Sequence, residues 1–393
     1  MSFGVYFHIP YCLQRCSYCD FATYEKSQIL PPENYVELVK KEIHQKLNYF
    51  SERKLDTIYF GGGTPSLLPP QLILSLIEEL EKNGFSRGPE TEVTLEINPA
   101  TLTPQKIESY LKSGFNRFSV GAQTFDDALL KMVKREHNAQ QTLDTLKLLR
   151  DFDVNFNFDI LFALPTQTVD GLKRDLEIAL NSGARHISPY CLTVPEGHPL
   201  SKNRPLEEDQ LEMFELLRLG LTRGGFEQYE ISNFAQPGFE SKHNTLYWAD
   251  QEYWGLGLSS HSYSKASSWG TRFWNVNSIH EYEKQIEQAA NTQWASVADG
   301  LASSQYEVLN ESQALTDFCH TSLRMMSGLN SKLLQNKFSP KAFAAVEVGL
   351  NKLMAQGLIQ QAKGLWSLTP QGIVLSNRVF YELAFLKEDL GPH

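Results

Sequence analysis

Residues 6–20 read YFHIPYCLQRCSYCD and hold three of the five cysteines of the chain. Cys12, Cys16 and Cys19 have a C-x3-C-x2-C spacing that could place three thiols on one helix face, although Pro10 just before them disfavours a helix. A closed zinc site usually takes four ligands, and the sequence offers no second cysteine pair. Three thiolates suit a 4Fe–4S cluster in which one iron keeps an open position. The spacing therefore favours a cluster, with zinc or unliganded thiols as the alternatives.

The composition is that of a globular protein. The chain has 393 residues, 41% of them hydrophobic and 21% charged, which is enough for two or three domains. Its 36 Lys and Arg against 46 Asp and Glu give a net charge of −10, which disfavours a nucleic-acid partner. The chain contains no uncharged apolar run of the length that a membrane span needs, and its first residues lack the basic region of a signal peptide. Clustered, odd-numbered cysteines predict a reducing, cytoplasmic location.

The first two-thirds of the chain repeats a strand-like run followed by an amphipathic helical pattern. The strand-like runs fall at residues 5–9, 57–60, 92–97, 117–120, 155–161 and 185–191. Gly84, Gly114 and Gly183 fall where the helices between them should end. Six β/α units predict a parallel sheet, because parallel strands need crossover helices. A doubly wound sheet and a closed or partial barrel would both give this pattern.

This repeat stops after about residue 235. Residues 243–275 are rich in Trp, Tyr, Gly and Ser, which we interpret as aromatic loops that line a site or as a packed irregular core segment. We predict three parts, at residues 1–235, 236–285 and 286–393.

The last 60 or so residues predict a winged-helix-like α+β domain. Its predicted elements are helices near 333–338 and 340–356, a hairpin at 358–368 around Lys363-Gly364, and a helix from Pro370. Residues 331–393 carry seven Lys or Arg against four acidic residues. Winged helices that bind DNA usually present more basic residues on their recognition helix, so a scaffold or docking role is favoured.

The cysteine stretch, with Tyr18, Asp20 and Phe21, resembles the radical S-adenosylmethionine superfamily. Within it, nearly the whole chain is similar to the oxygen-independent coproporphyrinogen III oxidase family. In that family the open iron is chelated by the amino and carboxylate groups of S-adenosylmethionine, and the fold is a partial (β/α)6 TIM-like barrel. The resemblance implies such a barrel here, with a 4Fe–4S cluster and S-adenosylmethionine as cofactors.

The resemblance also implies a cofactor site at the carboxyl ends of the strands. Residues 61–64, Gly-Gly-Gly-Thr, follow the second strand, and glycines permit close backbone approach to an amino group. Glu96, at the end of the third strand, suits ribose hydroxyls or an amine, and Arg135 suits a carboxylate. Gln123 and Asp159 are expected to end the fourth and fifth strands. The implied S-adenosylmethionine residues are Tyr6, Tyr18, Gly62, Gly63, Thr64, Glu96, Gln123, Arg135 and Asp159, and the implied cluster ligands are Cys12, Cys16 and Cys19.

Two features differ from the decarboxylating members of that family. Phe21 stands where those members carry a fourth cysteine, and the cysteines begin at residue 12 without a long N-terminal arm. Both features are similar to the HemW-type subgroup of haem chaperones, as is the run HNTLYW at residues 243–248. Imidazole is a standard axial ligand of haem iron, and aromatic rings can cover its apolar face. The implied haem-binding residues are His243, Tyr247 and Trp248; the alternative is that they brace a loop.

The resemblance implies a chaperone that binds haem as cargo and passes it to acceptor haemoproteins, such as respiratory ones. It further implies an electron donor such as flavodoxin or ferredoxin, and no nucleic acid; homodimerisation and peripheral membrane contact stay open. No catalytic residue is assigned. The alternatives are a radical coproporphyrinogen III dehydrogenase, which Phe21 disfavours, and a zinc-stabilised DNA-binding regulator.

Other Cys and His residues are weaker candidates. Cys191, near the end of the sixth strand, is expected to be a buried apolar side chain. Cys319 and His320 stay unassigned, His8 is expected to be a structural strand residue, and His261 is the second choice as haem ligand.

Overall fold

The computed structural model describes residues 2–289 and 292–390. Its strands are β1 (Phe3–Ile9), β2 (Tyr11–Cys12), β3 (Tyr24–Glu25), β4 (Lys54–Gly62), β5 (Ser86–Ile97), β6 (Arg117–Gln123), β7 (Asn155–Phe162), β8 (His186–Cys191), β9 (Glu227–Glu230), β10 (Asn233–Ala235), β11 (Glu252–Leu256), β12 (His261–Ser264), β13 (Thr271–Trp274), β14 (Tyr306–Val308), β15 (Leu329–Asn330), β16 (Ile359–Ala362) and β17 (Leu365–Leu368). Its α-helices are α1 (Pro32–Gln45), α2 (Pro70–Lys82), α3 (Pro104–Lys112), α4 (Asp127–Met132), α5 (Ala139–Asp151), α6 (Val169–Asn181), α7 (Glu207–Arg223), α8 (Lys242–Trp248), α9 (Ile279–Gln288), α10 (Val297–Gly300), α11 (Glu311–Arg324), α12 (Ser331–Lys337), α13 (Pro340–Ala355), α14 (Pro370–Val374) and α15 (Ser376–Glu382).

Twelve strands form one mixed sheet, in the order β14-β13-β12-β11-β1-β4-β5-β6-β7-β8-β10-β9. Strands β1 and β4 to β8 are parallel neighbours, and helices α1 to α6 connect them. Residues from all six of these strands line a single cavity, which shows that the sheet is curved. In the described part of the chain it does not close, since β14 and β9 lie at its two edges. The predicted partial (β/α)6 barrel is confirmed.

The helix ends follow the predicted glycines. Gly84, Gly114 and Gly183 follow α2, α3 and α6 and have φ values of 88°, 87° and 85°. Only glycine adopts this left-handed conformation without a steric penalty, so each of these positions ends a helix and turns the chain toward the next strand.

The parallel strands present apolar side chains to the helices and polar side chains to the cavity. On β1, Val5 and Phe7 are buried in the main core, whereas Tyr6 and His8 line the cavity. Phe60 on β4 stacks on Phe7, with ring centroids 4.7 Å apart. Successive strand residues point to opposite faces, so each strand separates a packed core from a polar interior. The inward-facing polar residues of the other strands are Tyr59, Glu96, Arg117, Ser119, Gln123, Asn157, Asp159, His186, Ser188 and Tyr190.

The aromatic-rich segment consists mainly of regular elements, so our interpretation of it as loops or irregular core is wrong, whereas the expectation that it lines a site is confirmed by Tyr247, Trp248 and Tyr253 on the cavity. Residues 242–248 form α8, and β11, β12 and β13 extend the main sheet beyond β1. Trp254 on β11 is fully buried among the core aromatic rings. Aromatic residues favour strands because they pack well on a pleated surface, and the free edge of β1 supplied the partner.

The C-terminal domain has the predicted winged-helix-like order. Helices α12 and α13 precede the hairpin of β16 and β17, and β15 pairs with β17. The hairpin turn is Lys363-Gly364, where both residues have positive φ values, as tight hairpin turns require. A second hydrophobic core, which includes Leu315, Leu350 and Trp366, stabilises this region.

The division at residues 235 and 285 stays a prediction. Across residues 2–289 and 292–390, no helix combines the length and apolar character that a membrane crossing would require.

Candidate functional site

The curved sheet encloses a cavity of about 1100 Å³. Ligand pockets usually measure roughly 300–1,000 Å³, so this volume can hold a cofactor together with a second small molecule. The cysteine loop lines one end of the cavity, at the carboxyl ends of the strands, and helix α8 lines the other.

The three clustered cysteines are unpaired and partly exposed to this cavity. Cys12 ends β2, and Cys16 and Cys19 lie in the non-helical segment after it, which excludes the single helix face. Burial raises the pKa of the Cys12 thiol to about 11. Among the described residues, no three His, Cys, Asp or Glu side chains converge as a single-ion site. A cubane cluster does not need such convergence, because each thiol binds a different iron.

The glycine loop packs directly against the cysteine loop. The Gly63 amide donates to Ile9 O at 2.9 Å, and the Thr64 amide donates to Tyr11 O at 2.7 Å. Gly62 has a φ of 105°, and a Cβ there would lie 2.5 Å from the His8 ring. Because any larger residue would separate the two loops, the glycines hold this backbone at the edge of the cysteine site.

Arg135 links the cysteine loop to the strand ends. It lies between α4 and α5, donates from Nη1 to Cys16 Sγ at 3.3 Å and from Nη2 to Gly121 O at 2.6 Å, and also hydrogen-bonds Asn98 Oδ1. Its buried Nε has no partner among the described residues. This leaves a buried guanidinium N–H for an acceptor on a bound molecule, beside the thiols.

Two half-buried carboxylates face the cavity from β5 and β7. Glu96 accepts from Tyr59 Oη at 2.8 Å and from the Gly62 amide at 3.1 Å, and burial raises its pKa. Burial also raises the pKa of Asp159 to about 7. Asp159 lies in the middle of β7, so the expectation that it ends this strand is wrong.

The other residues implied in cofactor binding line this cavity too. Gln123 ends β6 with a φ of 70°, a conformation that costs energy in a residue other than glycine and often marks a functional site. Tyr6, Tyr18 and Thr64 lie on the cavity wall. The structure therefore gathers all nine implied cofactor residues and all three implied cluster ligands around one space. A cluster with an added cofactor fits this set of thiols, acceptors and guanidinium donors.

Helix α8 carries the HNTLYW run and lies near the amino ends of the strands. Gly4 on β1 leaves the room for it, because a Cβ there would lie 2.5 Å from Leu246 Cδ1. The His243 and Lys242 amides donate to the Glu92 carboxylate of β5, at 3.0 and 3.2 Å. The run is therefore a partly buried helix, and no loop, at the opposite end of the cavity from the cysteines. The alternative that its side chains only brace this end of the barrel stays open.

The His243 ring is buried and held from both sides. Its Nδ1 lies 2.7 Å from Thr57 Oγ1, and its Nε2 lies 2.8 Å from Tyr247 Oη. The ring stacks on Tyr59 with centroids 5.1 Å apart. Burial lowers the pKa of His243 to about 3, so the imidazole is neutral at physiological pH.

Trp248 joins this end of the cavity to the C-terminal domain. The Arg324 guanidinium of α11 lies 4.4 Å from the centre of the Trp248 ring. The same guanidinium forms an ion pair with the fully buried Glu230, with 2.6 Å between Nε and Oε2. The Trp248 indole is thus in contact with Arg324, which belongs to a helix that packs in the second hydrophobic core.

The remaining candidates have varied surroundings. Cys191 is exposed, so its predicted burial is wrong; it ends β8, where the strand leaves the core. Cys319 is buried in the second core, and His320 hydrogen-bonds Phe380 O at 2.7 Å. His8 is a buried strand residue, as expected, and His261 lines the cavity, exposed.

Sequence analysis missed the polar residues along the strands, including Tyr59, Arg117, Asn157 and His186. Central parallel strands are normally apolar on both faces, because helices cover both. The alternation of apolar and polar residues in β4, β6 and β7 could therefore have indicated a solvent-lined interior.

Comparison with known proteins agrees with this geometry. Residues 6–179 match the radical SAM superfamily, and residues 309–375 match the HemN C-terminal domain. A structure described as the radical SAM coproporphyrinogen III oxidase HemN of Escherichia coli superposes with a TM-score of 0.82 over 98% of this chain and 90% of that one, at 20% identity. The fold and the three-cysteine site therefore define a radical SAM protein.

Two relatives narrow the class. The protein named heme chaperone HemW of Lactococcus lactis is 33% identical over 98% of both chains. That of Bacillus subtilis is 32% identical over 98% of this chain and 99% of its own. The chain belongs to the HemW family.

Proposed function

We propose that this protein is a haem chaperone that binds haem in the cavity and passes it to acceptor haemoproteins. The observation that carries the proposal is the placement of α8, with His243, Tyr247 and Trp248, on the same cavity as the three cysteines. The names of the full-length relatives support the same function. Phe21, 63% exposed at the cavity, presents an apolar ring where a fourth thiol would be needed for the decarboxylating enzyme.

Cys12, Cys16 and Cys19 are proposed to ligate the 4Fe–4S cluster, and Gly62, Gly63, Thr64, Glu96, Gln123, Arg135 and Asp159, with Tyr6 and Tyr18, to bind S-adenosylmethionine. When bound, these groups supply an electron and a reducible sulfonium at the carboxyl end of the barrel. Arg135 orients a carboxylate, Glu96 accepts from an amine or hydroxyl, and the glycine loop lets the backbone approach closely.

At the other end, His243 is proposed as an axial ligand of haem iron. If Nδ1–H donates to Thr57 Oγ1, Nε2 keeps its lone pair, which Tyr247 Oη caps in this structure. A hydrogen-bond acceptor at the other ring nitrogen fixes the tautomer of many metal-binding histidines. Rotation of Tyr247 would then expose Nε2 to iron. His261 remains the second choice.

The partners follow from this function. Acceptor haemoproteins, such as respiratory ones, and an electron donor such as flavodoxin or ferredoxin are proposed, in the cytoplasm. The five unpaired cysteines suit a reducing compartment.

Haem titration and coproporphyrinogen III turnover, both measured on the anaerobically reconstituted protein, test the proposal. Saturable haem binding without porphyrin formation is expected, followed by haem transfer to an apo-haemoprotein. Porphyrin formation at an enzymatic rate would establish the dehydrogenase instead.

Arg135→Ala and Asp159→Ala are expected to weaken S-adenosylmethionine binding while the cluster remains. Loss of one charge-assisted contact costs about 1.5–3 kcal/mol, a decrease in affinity of roughly ten- to a hundredfold. Equilibrium binding on reconstituted protein measures it, with the exposed Asp153→Ala as control. Unchanged affinity in both variants would contradict the assignment.

The affinity for S-adenosylmethionine is also expected to depend on pH. Because burial raises the pKa of Asp159 to about 7, its carboxylate is protonated below that pH and ionised above it. We expect the wild-type affinity for S-adenosylmethionine to increase from pH 6 to pH 8, and Asp159→Asn to lose that slope.

His243→Ala is expected to shift the Soret band and weaken haem binding without changing iron content. Trp248→Ala should weaken binding but keep the wild-type spectrum, because it removes wall contacts and no ligand. His261→Ala tests the second choice on the same cavity: it should keep the wild-type spectrum, and a Soret shift there instead would assign the ligand to His261. An identical spectrum and affinity in His243→Ala would rule out axial ligation by this residue.

A further inference from the structure

Arg117, the first residue of β6, is a buried cation whose described hydrogen bonds all go to neutral acceptors. It is 2% exposed and lines the cavity. Its Nη2 donates to Asn157 Oδ1 at 3.0 Å and its Nη1 to Phe239 O at 3.3 Å. Within residues 2–289 and 292–390, no carboxylate forms an ion pair with this guanidinium.

Such an arrangement is unfavourable unless an anion completes it. Arginine is rarely buried without an opposite charge, because removing a charge from water costs free energy that neutral acceptors only partly restore. A guanidinium has five N–H donors, and these two hydrogen bonds leave three for another acceptor.

His186, on the neighbouring β8, offers a second donor. Tyr229 Oη accepts from the Ser241 amide and lies 2.9 Å from His186 Nε2. In the tautomer in which the Tyr229 hydroxyl donates to Nε2, the ring proton lies on Nδ1, which is buried and has no partner among the described residues. Burial, with the nearby Arg117 charge, holds the pKa of His186 well below its usual range, so the ring is neutral.

Among the described residues, no acid of the cavity forms an ion pair with Arg117. Asp159, on the neighbouring β7, is close enough for its charge to interact with the Arg117 guanidinium, but burial raises the pKa of this carboxyl to about 7. Glu96, on β5, accepts hydrogen bonds from Tyr59 and the Gly62 amide. The fully buried Glu230 is paired with Arg324. A guanidinium and an adjacent imidazole N–H thus share one wall, which is a donor set for a carboxylate.

We propose that Arg117, with His186, binds a carboxylate of the molecule held at the α8 end of the cavity, and that this carboxylate is a haem propionate. The identification of this carboxylate as a haem propionate rests on the proposed function. Arg117 hydrogen-bonds Phe239, in the segment leading into α8, which places it near the HNTLYW end.

The carboxylate of S-adenosylmethionine is the other source of this chemistry. Arg117 begins β6 and Gln123 ends it, so roughly 15–20 Å of strand separates Arg117 from the cysteine end. Arg135 already offers a guanidinium N–H beside the thiols. The geometry therefore favours the propionate.

The test compares haem with haem dimethyl ester, which has no carboxylate. The wild-type protein is expected to bind haem ten- to a hundredfold more tightly than the ester. Arg117→Met should bind both with about the affinity of the wild type for the ester, and Arg117→Lys should regain part of the preference. Arg185→Met is the matched control, because Arg185 also contacts Phe239 but lies outside the cavity.

The outcomes of this test separate the proposed role of Arg117 from the proposed haem-binding function. Equal wild-type binding of haem and ester overturns the proposal while haem binding stands, whereas failure to bind either porphyrin removes the proposed function itself. A retained preference in folded Arg117→Met also overturns it, as does a loss of S-adenosylmethionine affinity with the haem preference intact. Should Arg117→Met fail to fold, Arg117→Lys and the wild-type ester comparison still decide.

Discussion

Anaerobically reconstituted protein is expected to bind about four iron and four sulfide ions per chain, and Cys12→Ser, Cys16→Ser or Cys19→Ser is expected to abolish this binding. Each of the three loop thiols is needed for a cubane held by three thiolates; Cys191 also lines the cavity but ends β8, outside the cysteine loop. Iron and sulfide analysis, with the visible absorption of the reconstituted protein, measures the effect.

Two further cysteines provide internal controls. Cys191→Ser and Cys319→Ser are expected to keep full cluster content, since Cys191 ends β8 on the cavity wall outside the cysteine loop and Cys319 lies in the second core. Full occupancy in Cys16→Ser would refute the ligand assignment. Loss of the cluster in Cys191→Ser would show that the ligand set is incomplete.

Arg324→Leu is expected to destabilise the fold by about 3 kcal/mol, because it leaves the Glu230 carboxylate buried without its counter-ion. Glu230 is 0% exposed and Arg324 is 26% exposed in their side chains. Urea denaturation near pH 7.5 measures the loss. Lys352→Ala, from the pair Lys352–Glu382 with side chains 56% and 25% exposed, is the control and should change stability by less than about 1 kcal/mol.

The pH dependence of the stability loss in Arg324→Leu identifies the cause of that loss. Burial raises the pKa of Glu230, and loss of Arg324 raises it further. A carboxyl whose folded-state pKa is raised destabilises the fold while it is ionised, and protonation relieves that cost as the pH falls. The deficit of Arg324→Leu should therefore shrink from pH 7.5 to pH 5, and Glu230→Gln in the same chain should reduce it at neutral pH. A deficit independent of pH would mean that packing around Trp248, and no charge, is responsible.

The residues proposed to bind the cofactors and those proposed to bind haem lie at the two ends of one cavity. The carboxyl end gathers thiols, a glycine loop and Arg135, whereas the amino end gathers a neutral imidazole, aromatic walls and a guanidinium without an ion-pair partner in the described part of the chain.

The amino-acid sequence by itself determined the features that depend on neighbours along the chain. The C-x3-C-x2-C spacing indicated a cluster, the six strand and helix patterns predicted the parallel sheet, and Gly84, Gly114 and Gly183 marked helix ends. Local propensity and capping act within a few residues, so the elements of the C-terminal domain also fell close to their predicted bounds.

Only the tertiary structure decided which residues that are distant in sequence are in contact. Thr57 and His243 are 186 residues apart in sequence, and their contact exists because α8 packs under β1 and β4 at the amino end of the barrel. The unpaired state of Arg117 depends on three neighbouring strands, and the contact of Arg324 with Trp248 depends on how two cores meet. Strand register and sheet curvature are set by pairing between distant segments, and the periodicity of any one segment does not record them.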